Sequence, residues 1–390
     1  MIQIANKKEC TGCGACYNIC PKSCIYMQQD DEGFLYPNVN INNCINCGMC
    51  EKVCPVNDTY EGNPIGQAYA CISMNDEIRN ESSSGGIFSV IAEYVIENGG
   101  IVFGAAFRKD LSVHHISVTK KEELSKLRGS KYVQSQIGNA YKEVKDFLKE
   151  GQLVLFSGTP CQISGLKKYL GCSYDNLIMQ DIVCHGVPSN LIWQKYLDYQ
   201  KKRYKSNIKG FPNFRLKDGE WYNYKIRIEF ENNKKYCRFH DEDLYMKAFI
   251  NNLCLRPSCY SCHSKSLERE SDITLADFWG VDKVAPEMFD NQGTSLVFVN
   301  SKKGKELFEK ISNKFKYKEI DIKTAVQYNV SSYKSVPYNK NRKLFMKNIM
   351  TNRFDKALRK YIRRDYILEM KVKLMRYYKN CKRGKFLWMK

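Results

Sequence analysis

The sequence predicts a mixed α/β body, preceded by a small cysteine-rich domain and followed by a basic helical tail. Cysteines are concentrated in residues 1–58, apolar strands alternate with amphipathic helices over residues 67–320, and Lys and Arg dominate residues 334–390. Strands that alternate with helices favour a partly parallel sheet. A chain of 390 residues is also too long for one core and indicates two or three domains.

The body is expected to divide into two stretches, residues 67–150 and 151–320, behind a polar linker at residues 57–67. Helical periods predict helices over residues 87–97, 138–149, 162–170, 242–252 and 302–315. Short apolar or alternating runs predict strands over residues 101–107, 153–156, 177–183, 225–231, 236–239, 273–276 and 296–299.

Charge is spread unevenly along the chain, whose formal net charge is +20. Residues 1–60 hold four Lys/Arg against six Asp/Glu (net −2), and residues 334–390 hold nineteen against three (net +16). Basicity is therefore a property of the tail, and nucleic-acid binding by the whole protein is not indicated. We find no signal sequence and no apolar run of the ~20 residues that a bilayer span needs, so we expect a cytoplasmic protein. Eighteen cysteines in such a chain indicate metal or redox chemistry rather than disulfides.

The strongest motif is an internal repeat of four cysteines that ends in Cys-Pro. Its two copies are Cys10, Cys13, Cys16 and Cys20, then Cys44, Cys47, Cys50 and Cys54. In this spacing three thiolates hold one 4Fe-4S cluster and the fourth reaches the other cluster. We therefore expect Cys54 to complete the first cluster and Cys20 the second. The repeat resembles a bacterial two-cluster ferredoxin; zinc is the alternative, but zinc ribbons pair CxxC units instead.

Four later cysteines could hold a third cluster. Cys161 lies in a strand-to-helix turn, where the helix start favours a thiolate, Cys184 ends the next strand, and Cys259 and Cys262 form a CxxC. Buried core thiols are the alternative. The string Cys-Tyr-Ser-Cys-His also matches the c-type haem motif, which the absence of an export signal disfavours. In a further alternative, His185 is a catalytic partner of Cys161 as nucleophile. The other cysteines are expected to be non-ligands: Cys24, Cys71, Cys172, Cys237, Cys254 and Cys381.

A Ser/Gly loop comes directly before the helix predicted at residues 87–97. It consists of Ser82, Ser83, Ser84, Gly85 and Gly86. Small residues at a helix start can hold a phosphate or pyrophosphate, although such a loop can equally be a helix cap. The segment 128–135 adds cations and polar donors close to the expected strand ends, or is a solvated loop.

Several motifs occur in an order that resembles the beta-subunit family of coenzyme F420 hydrogenases and dehydrogenases, over residues 67–320. They are the Ser/Gly loop, Gly104, residues 128–135, residues 158–162, residues 184–186, the Cys259/Cys262 pair and residues 271–280. Some members of this family carry a ferredoxin domain in front, and plant 7-hydroxymethyl chlorophyll reductase is a relative with another substrate.

The resemblance implies FAD beside a 4Fe-4S cluster, with the family's cluster cysteines at Cys161, Cys184, Cys259 and Cys262. It implies flavin contacts from the Ser/Gly loop and from Arg128, Gly129, Ser130, Lys131, Gly158 and Thr159. A cation beside reduced flavin favours its anion, so Lys131 is our candidate for that catalytic role.

The implied function is electron transfer between one-electron clusters and a two-electron acceptor. The expected partners are a redox partner protein or ferredoxin-like donor and a small organic hydride acceptor, a deazaflavin of the F420 type first. The alternatives are reduction of a different organic substrate and a non-catalytic electron relay.

The tail carries an apolar stripe with basic residues between its positions over residues 354–368, which predicts a basic amphipathic helix. Packing on the body, docking to an anionic membrane surface or acidic partner, and nucleic-acid binding are the alternatives. No nucleic-acid motif supports the last.

Overall fold

A computed structural model describes residues 1–4, 6–57, 62–218 and 220–362. The cysteine-rich domain consists of α1 (Ala15–Ile19), β1 (Ile25–Gln29), β2 (Leu35–Val39) and α2 (Met49–Lys52). Strands β1 and β2 pair in antiparallel fashion. Each helix begins after a glycine in the left-handed region, Gly14 (φ 77) and Gly48 (φ 73), where a Cβ would cause strain.

The body follows with helices and strands in alternation. Its first half contains β3 (Asn63–Pro64), β4 (Gln67–Ser73), α3 (Asp76–Glu81), α4 (Ile87–Glu97), β5 (Ile101–Phe107), β6 (Val113–Val118), α5 (Leu124–Leu127), α6 (Ala140–Lys149), β7 (Val154–Gly158), α7 (Pro160–Leu170) and β8 (Leu177–Ile182). Its second half contains α8 (Asn190–Tyr204), β9 (Ile208–Leu216), β10 (Lys225–Phe230), β11 (Lys235–Phe239), α9 (Leu244–Ile250), β12 (Glu268–Arg269), β13 (Ile273–Asp277), α10 (Val281–Val284), β14 (Ser295–Val299), α11 (Lys302–Ile311), β15 (Phe315–Ile320) and α12 (Ile322–Gln327). The tail adds α13 (Arg342–Thr351) and α14 (Phe354–Arg359).

The centre of the body is an eight-stranded sheet in the order β15-β4-β14-β13-β8-β7-β5-β6. The four strands β13, β8, β7 and β5 are parallel neighbours, and the remaining pairs are antiparallel. The mixed α/β class and the partly parallel sheet expected from the sequence are confirmed. Because β4 is two antiparallel steps from β13, it runs in the same direction, and all five strands end at one edge of the sheet.

Helices cover both faces of this sheet. Phe103 and Phe156 point to the face covered by α6 and α7, and their neighbours Val102 and Leu155 point to the face covered by α4 and α11. All four side chains are fully buried. Strands buried on both sides read as continuous apolar runs, which is why the sequence revealed β5 and β7.

A second core joins the sheet β11-β10-β9 to helices α8, α9, α13 and α14. The apolar side chains Phe354, Ala357 and Leu358 of α14 are buried in it. The described part of the predicted amphipathic helix therefore packs on the body. Residues 363–390, which hold the rest of the basic tail, lie outside the described residues.

The predicted elements match the structure best where the hydrophobic period is strong. Helix α4 and strand β5 have the predicted bounds, but the helix predicted over residues 302–315 was wrong at its end. It stops at Ile311, because Phe315 pairs with Ser73 and begins β15 at the edge of the sheet. Strands β4, β6 and β9 and helix α8 were not predicted. In the described ranges, no helix is long and apolar enough to cross a membrane.

Two leucines on helices provide a matched test of the second core. Leu197 on α8 is fully buried, whereas Leu344 on α13 is 54% exposed. We expect Leu197→Ala to lower the free energy of unfolding by about 2–5 kcal/mol, because it leaves a cavity, and Leu344→Ala to change it by less than about 0.5 kcal/mol. Denaturant titration monitored by far-UV circular dichroism measures both. Equal effects would contradict this core assignment.

Candidate functional site

Twelve of the cysteines form three groups of four. We name them the inner group (Cys10, Cys13, Cys16, Cys54), the outer group (Cys20, Cys44, Cys47, Cys50) and the body group (Cys161, Cys184, Cys259, Cys262). The inner and outer groups each take their fourth member from the other copy of the repeat. Within each group the cysteines lie near one another.

The inner group lies where the cysteine-rich domain meets the body. Burial raises the pKa of Cys13 to about 12, and the nearby thiols Cys10 and Cys54 raise it further. Cys16 has a raised pKa from burial and then from Cys13, Cys10 and Cys54. Buried thiols with raised pKa values become thiolates only with a compensating positive charge, which iron supplies.

The outer group lines a cavity at the far side of the cysteine-rich domain. The backbone N–H of Ile2 donates to Cys50 Sγ (3.3 Å), the kind of contact that orients a cluster ligand. Cys47 is exposed at the mouth. Cys24, expected to be a non-ligand, also lines the cavity, and its Sγ lies 3.4 Å from Cys20 Sγ.

The body group forms at the edge where the parallel strands end. Cys161 follows β7 in the first turn of α7, Cys184 follows β8, and the CxxC lies in the turn after Pro257. Burial raises the pKa of Cys161, and the thiols of Cys262, Cys184 and Cys259 raise it further. The helix start was expected to favour a thiolate at Cys161; burial outweighs that effect.

In the described part of the chain, no three His, Cys, Asp or Glu side chains converge to hold a single metal ion. A tetrahedral zinc ion draws all its thiolates to ~2.3 Å from one point. A 4Fe-4S cubane takes one cysteine at each of four irons, so its sulfurs lie further apart. Each group offers the four thiolates that a cubane takes, one at each iron.

The inner and body groups are close neighbours. Gly165 lies one turn after Cys161 on α7, and a Cβ there would be 2.9 Å from Cys13 Cβ and 3.0 Å from Cys13 Sγ. Glycine is therefore required for the cysteine-rich domain to approach this helix. Asn18 Nδ2 also donates to Gly138 O (2.9 Å) across the same interface.

The Ser/Gly loop connects α3 to α4 and packs against the end of β4, where the Ser73 N–H donates to Gly85 O (2.8 Å). A Cβ on Gly85 would be 2.3 Å from Cys71 O, so only glycine fits. The Gly85 N–H donates to Ser295 Oγ (3.0 Å), and Ser84 Oγ donates to Thr294 O (2.8 Å). The loop also caps α4, since Gly86 is the N-cap residue, without a side-chain cap hydrogen bond.

Segment 128–135 touches both the Ser/Gly loop and the strand ends. Ser130 N–H donates to Ser83 Oγ (2.8 Å), and Arg128 Nε donates to Ser89 Oγ (2.9 Å). Gln162 Nε2 donates to Ser135 O (3.2 Å), which ties the segment to the turn that contains Gly158 and Thr159. The predicted flavin residues are thus connected along one surface.

The Lys131 side chain is turned towards the C-terminal end of α5 and the residues that follow it. Its Nζ donates to Leu127 O, Arg128 O and Gly129 O at 3.1–3.2 Å. Burial lowers the pKa of Lys131 to about 7. The ammonium group is therefore poised to change charge near neutral pH.

Two buried cations beneath the Ser/Gly loop were missed from the sequence. Arg215 Nη2 donates to Ser83 O (3.1 Å) and to Asp277 Oδ1 (2.9 Å), and its buried Nε has no partner. Lys217 Nζ donates to Ser84 O (3.1 Å), and burial lowers its pKa to about 7. Both lie about 130 residues from the loop in the chain, so no local pattern reveals them.

His185 is engaged away from Cys161. Its Nε2 lies 2.7 Å from Asn252 Oδ1, and its ring packs edge-on against Phe249. Cys161 Sγ instead lies 3.2 Å from Thr159 Oγ1. The predicted pairing of nucleophile and histidine is not formed by these residues, because each has a different hydrogen-bond partner.

Comparisons with known proteins agree with this arrangement. Residues 9–57 match the model for a 4Fe-4S dicluster domain. Residues 68–142 match the N-terminal model of the coenzyme F420 hydrogenase/dehydrogenase beta subunit, and residues 151–325 match its C-terminal model. The protein is thus an iron-sulfur electron-transfer oxidoreductase. Since the two beta-subunit models together cover more than half of the chain, it belongs to the coenzyme F420 hydrogenase/dehydrogenase beta-subunit family.

A chain in the xenon-derivatised F420-reducing NiFe hydrogenase complex from Methanosarcina barkeri is similar to this protein at 19% identity and a TM-score of 0.44. The similarity covers 70% of this chain and 93% of that chain. A search of curated protein sequences finds no match.

The body group can be tested by iron content. We expect Cys262→Ser to lose about four irons per chain, because one of four cluster ligands is removed. Cys172→Ser is the matched control, since Cys172 is exposed and outside the three groups. Iron and acid-labile sulfide are measured on protein purified without oxygen. Wild-type iron content in Cys262→Ser would rule out a third cluster at these residues.

Proposed function

We propose that the protein is an iron-sulfur flavoprotein that connects three 4Fe-4S clusters, one in each cysteine group, to an FAD at the carboxyl edge of the sheet. The arrangement of the three groups carries the proposal, because it runs from an exposed cysteine, Cys47, to the strand ends. When bound, clusters supply one-electron transfer and a flavin supplies hydride transfer.

The residues proposed to hold FAD are the Ser/Gly loop, residues 128–131, Gly158 and Thr159. Two observations support them. The loop and segment 128–135 are hydrogen-bonded to each other, and two buried basic residues, Arg215 and Lys217, hold the loop by donating to the carbonyls of Ser83 and Ser84. Phosphate groups of a dinucleotide would be attracted to the start of α4.

Electrons are proposed to enter at the outer group. Ile45 and Met49, which line its cavity, are 57% and 39% exposed, respectively. Exposed apolar side chains beside a redox centre suit a redox partner protein or ferredoxin-like donor. Docking of the basic tail to an anionic surface or acidic partner, and the cytoplasmic location, stay predictions.

At the flavin end we propose a small organic hydride acceptor, with an F420-type deazaflavin as the first to test because of the family. Another organic substrate is the alternative within the same chemistry. The alternative without hydride transfer is a non-catalytic electron relay that has no organic acceptor.

Cofactor content and turnover distinguish these functions. We expect about one FAD and about twelve irons per chain after anaerobic purification and equilibration with FAD, because three cubanes hold four irons each. Reduction of a deazaflavin by reduced ferredoxin, followed by its absorbance, tests the acceptor.

The control is Gly85→Ala, in which the Cβ clash disrupts the loop, and we expect it to lose FAD and keep its iron. Retained iron without FAD in the wild type would overturn the flavoenzyme proposal and leave the relay. FAD with turnover on other acceptors alone would overturn the deazaflavin assignment.

The charge of Lys131 provides a pH test of its role. With a pKa of about 7, Lys131 is charged at pH 6 and largely neutral at pH 8.5. We expect Lys131→Met to lower the flavin midpoint potential at pH 6, because a cation stabilises reduced flavin, and to match the wild type at pH 8.5. Spectroelectrochemical titration measures this. Lys126→Met is the control, as Lys126 is half exposed and ion-paired with Glu123. An equal difference at both pH values would contradict this role.

A further inference from the structure

Arg256 is a fully buried arginine at the junction of the cysteine-rich domain and the body. Its Nε donates to Cys10 O (2.8 Å), and its Nη2 donates to Leu35 O (2.9 Å) and lies 3.5 Å from Cys10 Sγ. Its Nη1 donates to Gln134 Oε1 (3.1 Å), and the guanidinium carbon lies 4.3 Å from the centre of the Tyr36 ring. The side chain thus ends directly on a ligand of the inner group.

The charge of Arg256 has no carboxylate partner among the described residues. Its hydrogen bonds go to two carbonyls, one amide and one cysteine sulfur. Two other buried arginines have carboxylate partners: Arg269 is paired with Asp181, and Arg342 is paired with Glu32. Since a buried unpaired cation is strongly unfavourable, the compensating negative charge has to come from another source.

We infer that Arg256 raises the reduction potential of the inner cluster and so makes it the electron sink of the cysteine-rich domain. Four thiolates on a 4Fe-4S core give a net negative charge, which grows by one on reduction. A buried guanidinium that donates to a ligand sulfur stabilises the reduced form more than the oxidised form. In the cavity lining of the outer group, the cations are Lys22 and the N-terminal ammonium of Met1, and the latter is paired with Glu51 (2.8 Å).

The backbone of Arg256 extends the same connection into the body. The Cys259 N–H donates to Arg256 O (2.9 Å), so one residue binds the inner group with its side chain and the body group with its carbonyl. A Cβ on Gly12 would be 2.9 Å from the guanidinium, so Gly12 is required for this approach as well as for its positive φ of 71. Arg256 is therefore a positioning residue between two proposed clusters.

The test is a redox titration of the full chain with its clusters, followed by electron paramagnetic resonance. In Arg256→Gln we expect one cluster to show at least a tenfold lower ratio of reduced to oxidised form at its wild-type midpoint, which is a fall of about 59 mV, while the other signals stay unchanged. Arg256→Lys keeps the positive charge but loses the forked donors of the guanidinium, so we expect a smaller fall in the midpoint potential of that cluster.

Arg342→Gln is the matched control. Arg342 is also buried and donates to Leu255 O (2.9 Å), next in the chain to Arg256, but its charge is paired with Glu32. A shift of the same cluster in this control, or no shift in Arg256→Gln at wild-type iron content, would overturn the inference. If Arg256→Gln does not retain its iron, Arg256→Lys decides: a fall supports the inference and an unchanged potential overturns it. The result does not depend on FAD, so failure of the flavin proposal is seen separately in flavin content.

Discussion

The direction of the strands is the constraint on which this molecule depends. Because β5, β7, β8 and β13 are parallel and β4 runs the same way, their carboxyl ends share one edge of the sheet. Cys161 and Cys184 follow such ends directly, and the Ser/Gly loop packs against the end of β4, where the Ser73 N–H donates to Gly85 O (2.8 Å). Ligand sites in open α/β sheets form at this edge for the same reason. Reversal of one strand would remove its loop from the site.

Polar contacts fix the cysteine-rich domain against this edge. Segment 128–135 is central to them, since Gln134 binds Thr11 O (3.1 Å) and Arg256, while Ser130 binds the Ser/Gly loop. An apolar interface could hold the two domains together equally well. Hydrogen bonds, which need defined directions, also fix the orientation of one cysteine group relative to the next. Electron transfer between groups requires that orientation to be reproducible.

Local information was enough for the cysteine repeat, for α4 and for β5, whose patterns lie within a few consecutive residues. It was not enough for the residues that connect distant parts of the chain. Arg256 contacts Cys10 across 246 residues, and Arg215 contacts the Ser/Gly loop across 132. In the sequence, a charged residue next to an apolar one, as in β9, has the same pattern whether its side chain faces solvent or a buried carbonyl. The helix predicted to Phe315 failed similarly, because pairing with β4 decides the conformation there.

The cover over the body group also has a consequence for the order in which the protein matures. Cys262 N–H donates to Ser335 Oγ (2.9 Å), and Arg269 donates to Ser332 O (2.7 Å). Ser335, in the segment that covers the body group, is synthesised 73 residues after Cys262. The four cysteines therefore leave the ribosome before the segment that encloses them. For the cluster proposed at this group, delivery during this interval would meet a site that residues 332–335 do not yet cover.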